Sequence, residues 1–350
     1  MIKTPRINAH GHLLPLPEEV PRFMKDKRLF WITEDKTFMC QNDWKRPVTH
    51  ESFFVDKKIE WMKKNNIDHE VLITLSQLYA NGLNRSDAND MIRFQNDFHS
   101  RIQSEYSQYF TGGFVVQPAF IDDALAEIER AVTKENLRIL CLPTHYQDVQ
   151  GQWKSTTHAD THPIWQLANE YKLAIQIHPY DAPKMIALED KYWRFHLIWM
   201  CAQTADHYHM FSAQSMHWIY PDVNVCYAHG NQYGQVNVGR RRQGFLGRPD
   251  LFEGADDPTD AIGVKNIFFD TLVHDVDSFD LLIRRHGVSQ VVAGLDDPYP
   301  LGEMDNVVGC YPGKVIDEGV ETGVISKDER SQIWFENVNS WIGKEIGIHE

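Results

Sequence analysis

Gly113-Phe114-Val115-Val116-Gln117, then Asp122 to Lys134, then Arg138-Ile139-Leu140-Cys141-Leu142 form an apolar run, an amphipathic stretch and a second apolar run. Within Asp122 to Lys134, Ala124, Leu125, Ile128, Ala131 and Val132 recur at helical spacing with Glu and Arg between them. The flanking runs are apolar at consecutive positions, as parallel strands covered on both sides are. Working outward, further strand candidates are Glu70 to Leu75, Ala174 to His178, Asn224 to His229, Ile267 to Thr271 and Val291 to Asp296. With the opening Arg6-Ile7-Asn8 strand the count reaches eight, and helical stretches such as Phe279 to Arg285 lie between. Eight such units predict an α/β fold, a (β/α)8 TIM barrel spanning residues 1–350 as one domain. A doubly wound open sheet is the alternative, but no Gly-rich fingerprint follows any strand. Residues 13–60 interrupt the pattern with Pro15, Pro17 and Pro21 and two aromatic-rich runs, Leu29 to Thr33 and Thr37 to Cys40. They read as a small inserted, hairpin-bearing lobe after the first strand. From Phe54, Lys57, Lys58, Lys63 and Lys64 alternate with Ile59, Trp61 and Met62, which suits an amphipathic helix ending near Asn65-Asn66.

Composition narrows the function classes. The formal charge of −14 argues against a nucleic-acid partner, which wants clustered Lys and Arg. No apolar stretch approaches the ~20 residues of a membrane helix, and no apolar leader follows Met1. The five cysteines are odd in number and scattered, without a Cys-x-x-Cys pair, which favours a reduced, cytoplasmic setting.

In a barrel, functional side chains belong at the C-terminal ends of strands. His10 and His12 end the first strand, two residues apart and so on one face. His178, His229 and Asp296 end three later strands. His-x-His also recurs as His207 and His209, so the pair alone is a weak signal. Three histidines and one carboxylate are what a zinc-like divalent ion takes while leaving a position open for water. Asp297 competes with Asp296, since the two point to opposite faces if the strand continues. Asp270 ends another strand and would either orient a neighbouring group or serve structure.

These ends sit in longer runs: His10-Gly11-His12, His178-Pro179-Tyr180-Asp181, Tyr227-Ala228-His229-Gly230, and Gly294-Leu295-Asp296-Asp297-Pro298-Tyr299-Pro300-Leu301-Gly302-Glu303. With Arg46-Pro47-Val48, Gly239-Arg240, Arg248-Pro249-Asp250-Leu251 and Leu272-Val273-His274-Asp275, in this order, they resemble the 2-amino-3-carboxymuconate-6-semialdehyde decarboxylase family of the metal-dependent amidohydrolase superfamily. The resemblance spans nearly the whole chain. It implies that His10, His12, His178 and Asp296 bind zinc, with manganese or another divalent metal as the alternative, and that His229 is the general acid/base. It also implies that Arg46 holds a substrate carboxylate and that Trp199 lines the site. Arg240 and Arg248 would reach into a neighbouring subunit's site, so a homodimer is implied. The chain departs from the family in Asn231-Gln232, where a glycine run is usual, and in Tyr180, Leu142-Pro143 and Gln203 to Asp206. The expected activity is zinc-dependent, non-oxidative decarboxylation of a small unsaturated or aromatic carboxylate, 2-amino-3-carboxymuconate 6-semialdehyde foremost. The alternatives are hydrolysis of a lactone or amide on the same site, decarboxylation of a hydroxybenzoate-like acid, and a non-catalytic binding barrel. Relatives acting on hydroxybenzoates often begin with Glu-x-His, and the His pair here points away from them.

Overall fold

The computed structural model describes residues 4–180 and 191–347; Asp181 of the His178 run lies outside them. Eight parallel strands follow one another around a barrel: β1 Ile7–Gly11, β2 His69–Leu72, β3 Phe110–Val115, β4 Ile139–Pro143, β5 Ala174–His178, β6 Asn224–Tyr227, β7 Ile267–Asp270 and β8 Val291–Val292. The seam between β8 and β1 closes through Ala9 N to Ala293 O (2.7 Å), Asp296 N to His10 O (2.7 Å) and His12 N to Asp297 O (3.0 Å). The (β/α)8 barrel expected from the sequence is therefore the fold.

Alternation along each strand explains why these runs are apolar throughout. Leu140, Leu142, Ile175, Ile177, Ile267 and Phe269 pack outward with helix residues such as Ile128, Trp165, Tyr208 and Leu282. Ile139, Cys141, Ala174, Cys226, Phe268 and Val292 gather in a second cluster. Helix Ile121–Thr133 buries Ala124, Ile128, Ala131 and Val132, one residue displaced from its predicted bounds. Helix Val276–His286 starts three residues before its prediction because the Asp275 carboxylate caps the Ser278 N–H.

Between β1 and β2 the chain forms an antiparallel sheet of Trp31–Ile32, Phe38–Gln41 and Trp44–Pro47. Helix Val55–Lys64 follows, starting within the 13–60 stretch read as the lobe, running past it and ending just before Asn65, as expected. A hairpin of His145–Gln147 and Trp153–Ser155 after β4 was not expected from the sequence. Among the described residues no helix is long and apolar enough to cross a membrane.

Four histidines are locked neutral in the packing. Burial lowers the pKa of His69 and His99 to about 4, and that of His207 and His286 to about 3. An unfolded chain takes up these protons near pH 6.5 and the folded chain does not. Their stabilising contribution is thus complete above about pH 6.5 and is lost as pH falls toward 4. Thermal unfolding followed from pH 7.5 to pH 4.5 should show a falling Tm across that window. The fall should be shallower in His207→Gln, and equal slopes in the two proteins would refute the assignment.

Candidate metal centre

Asn8, His10 and His12 share one face at the end of β1. Gly11 between them is required, because a Cβ there would strike the Glu70 carboxylate. Each histidine is oriented through Nδ1. That of His10 meets Asp270 Oδ2 at 2.8 Å, that of His12 meets Ile73 O at 3.0 Å, and that of His178 meets Pro179 O at 2.7 Å. Carbonyls and carboxylates only accept, so Nδ1 donates in each case and the Nε2 lone pair turns toward the cavity. Asp270 thus orients His10, and its other oxygen accepts the N–H groups of Gly230 (3.0 Å) and Leu272 (3.1 Å). Gly294 leaves room for it, since a Cβ at that position would lie 2.7 Å from Asp270 Cβ.

The lone pairs converge on Asp296. Its Oδ1 lies 3.0 Å from His12 Nε2 and 3.7 Å from His10 Nε2, and its Oδ2 lies 4.0 Å from His229 Nε2. The ring of His178 is 5.2 Å from that of His10 and 5.0 Å from that of His229. Burial opposes ionisation of Asp296, but the close approach of His12, with His10 and His229 nearby, holds its carboxyl well below the usual range. Burial lowers the pKa of His12, and lowers that of His229 to about 4. Neutral imidazoles of His12 and His229 thus face a carboxylate, while at His10 burial is outweighed by the Asp270 bond and the Asp296 charge, which raise its pKa, and its Nε2 is buried without a hydrogen-bond partner. Such an arrangement calls for a cation between the groups. Ligand atoms of His10, His12 and Asp296 all lie within 4.8 Å of one another, as do those of His10, His178 and His229. The donor set of imidazole nitrogen and carboxylate oxygen fits a divalent ion.

The aspartate pair resolves at a kink. β8 ends at Val292, and Asp296 has a left-handed φ of 52°. Asp296 faces the cavity, while Asp297 turns away and accepts from Asn8 Nδ2 at 2.6 Å. Asp297 also pairs with Lys58, whose ammonium lies 2.8 Å from Glu70 Oε1 and donates to His12 O at 3.3 Å. Asn8 Oδ1 in turn accepts from the backbone N–H of His10 and of Leu295, both at 3.0 Å. Lys58, Glu70, Asp297 and Asn8 are fully buried. Burial, reinforced by Asp297, raises Glu70 to about 8, so the Lys58 charge is matched by Asp297. Sequence reasoning had spread Lys58 among the polar positions of its helix. Its spacing of three and four from the buried Trp61 and Met62 was the available signal.

A cavity of about 130 Å3 opens beside these ligands, walled by His12, His178, His229 and Asp296 and by Arg46 and Tyr299. Gln232, His196 and His274 line it too; Gln232 donates to Val273 O at 2.7 Å. Arg46 contacts His196 Nε2 and lies 5.2 Å from the Tyr299 ring centroid. Burial and the Arg46 charge lower His196 to about 3. Tyr299 and His274 were carried in quoted sequence runs without a role, whereas nothing in the sequence marked His196.

Other expected site residues lie elsewhere. Trp199 is half-buried at the end of the helical segment Phe195–Trp199, and Trp193, not Trp199, is in the cavity wall. Arg240 and Arg248 are exposed and outside this chain's cavity, Arg248 paired with Asp250 at 2.7 Å. Asn231 is buried beneath Gly234 rather than in the cavity. His207 bonds Thr156 and Tyr227 inside helix Met200–Ala213, so the second His-x-His joins no ligand set among the described residues.

The chain is 25% identical over 335 residues to 2-amino-3-carboxymuconate-6-semialdehyde decarboxylase of Dictyostelium discoideum, covering 92% of this chain and 88% of that protein. Among solved structures, 5-carboxyvanillate decarboxylase LigW from Sphingomonas paucimobilis superposes with a TM-score of 0.76 at 17% identity, covering 98% and 100% of the two chains. A dihydroxybenzoic acid decarboxylase from Polaromonas sp. JS666, crystallised with manganese and an inhibitor, gives 0.71 at 14% identity, covering 97% of each. The family model described as amidohydrolase matches residues 7–306, and with the barrel and its histidine–aspartate centre this places the chain in the amidohydrolase family.

Proposed function

We propose that this amidohydrolase-family enzyme is a metal-dependent, non-oxidative decarboxylase of a small unsaturated or aromatic carboxylate, with 2-amino-3-carboxymuconate 6-semialdehyde as the first candidate and zinc as the ion. Decarboxylases among its relatives and structural neighbours support the reaction class, and the manganese-bound neighbour supports a divalent ion without choosing zinc. The observation that carries the reading is the position of Arg46, whose guanidinium shares a 130 Å3 cavity with the histidine–aspartate ligands. A guanidinium matches a carboxylate with paired N–H donors.

His10, His12, His178 and Asp296 would hold the ion, which when bound supplies Lewis acidity. Arg46 would hold the substrate's carboxylate. As the C–C bond to the departing carboxylate breaks, carbon dioxide leaves and the electron pair passes into the conjugated system of the substrate. His229, neutral at rest, would take a proton from solvent and deliver it to that carbon. Incubation with freshly generated semialdehyde should bleach its visible absorbance with stoichiometric CO2 release. Absence of both with metal fully loaded would exclude this substrate.

A homodimer sharing its arginines also belongs to this reading. Arg241 donates to Pro258 O and Gly234 O, and Arg242 pairs with Asp257, which leaves the neighbouring exposed Arg240 available to a second chain. Exposed Leu246 and Leu251 flank Arg248 and support an interface there. Mixing inactive Arg240→Ala and His229→Ala proteins should restore part of the activity through hybrid dimers. No recovery after verified subunit exchange would count against a shared site. The five free cysteines support a reducing compartment such as the cytoplasm.

A further inference from the structure

Beside the metal cavity lies a second and larger one, about 610 Å3 against about 130 Å3. Pockets for drug-sized ligands run from ~300 to 1,000 Å3, a range the second reaches and the first does not. Its walls come from additions to the barrel: Trp44 of the antiparallel sheet, Trp153 of the hairpin, and Tyr180 and Phe195 beyond β5. Trp193 and His196 line both cavities. Their rings lie 5.0 Å apart, and His196 touches Arg46. The metal cavity and the groove therefore meet at this pair.

The two spaces differ in chemistry. Arg46, Asp296 and several imidazoles crowd the first. Among the described residues the groove has one carboxylate, that of Asp43, which is exposed and paired with Arg28 at 3.0 Å. Its faces are aromatic, with the Trp153 and Tyr180 rings 6.0 Å apart. Amide side chains of Gln41, Asn81 and Gln147 edge it. Asn81 Oδ1 accepts from Gln117 Nε2 and from Gln147 N, both at 3.3 Å, while its Nδ2 is buried without an acceptor. Aromatic faces edged by amide side chains suit a flat, uncharged group.

We propose that the groove binds the distal part of the substrate, an uncharged aryl or extended conjugated group, so that the enzyme takes acids longer than one ring with their carboxylate in the metal cavity. This rests on the carboxylate reading of the metal cavity but not on the semialdehyde. The test titrates the metal-loaded chain with benzoate, biphenyl-4-carboxylate and the uncharged 4-phenylbenzamide by calorimetry. Biphenyl-4-carboxylate should bind at least about tenfold tighter than benzoate. Trp153→Ala should remove that advantage and leave benzoate unchanged, which also shows that the variant is folded. Equal affinities for the two acids, or an equal loss for both in Trp153→Ala, would overturn the proposal. Trp153-dependent binding of the amide with no binding of either acid would keep the groove and overturn the carboxylate reading. No binding of any probe would overturn both.

Discussion

Asp296→Ala is expected to lose the divalent ion and all activity, whereas His229→Ala keeps the ion and loses about 10²–10⁴-fold in kcat, the usual contribution of a positioned acid/base. The contrast follows from position. Asp296 offers one oxygen to His10 and His12 and the other to His229, so removing it leaves three imidazole lone pairs without the anion that balances a cation. His229 stands at the rim of the cluster with its side chain 15% exposed, while His10 is completely enclosed. It also stands within ligand reach of His10 and His178. Elemental analysis of the two purified variants separates the roles. Metal retained in Asp296→Ala would remove it from the ligand set, and metal lost in His229→Ala would make that histidine a ligand rather than a proton carrier.

Lys58→Met should destabilise the protein by about 3–5 kcal/mol, the cost of leaving the partner of a buried charge unpaired. The carboxylate stranded is Asp297, and with it goes the support of the His12 carbonyl. Metal affinity should fall about 10–100-fold, as it does when groups behind the ligands are removed. The double variant Lys58→Met/Asp297→Asn should recover much of the lost Tm, because it restores neutrality, yet bind metal more weakly than the parent. Chemical denaturation and competition with a chromophoric chelator read the two effects separately. A single variant as stable as the parent would show that the Lys58 charge is not needed.

The barrel was legible because its strands carry their own bounds. Ala174–His178 was read to the residue, since an apolar run there meets a histidine at once. β8 was not. The run Val291 to Asp296 looks like one strand, but only two residues keep the ladder. Ala293 N bonds Ile333 O, Gly294 N bonds Thr271 Oγ1 and Leu295 N bonds Asn8 Oδ1, partners that no local pattern announces. The candidate ligand histidines were visible for the same reason as the strands, each standing where an apolar run stops. Asp270 was legible as a carboxylate that would orient a neighbour or serve structure, but its partner His10, 260 residues away, was not, and neither was the pairing of Lys58 with Asp297 across 239 residues. Arg46 reached the cavity reading only through family resemblance, since an arginine on a short outer strand looks like any surface charge.

The seam between β8 and β1 makes the metal centre an indicator of completed folding. His12 and Asp296 are 284 positions apart, and bringing such distant residues together costs about 5 kcal/mol of chain entropy by loop-closure scaling. The proposed ligand set of His10, His12, His178 and Asp296 would need the first strand, the fifth and the segment after the eighth together. With those ligands, the chain would have no high-affinity claim on a divalent ion during synthesis until the last barrel strand is in place, and the ion, once bound, would oppose reopening of the one joint that sequence order leaves until last.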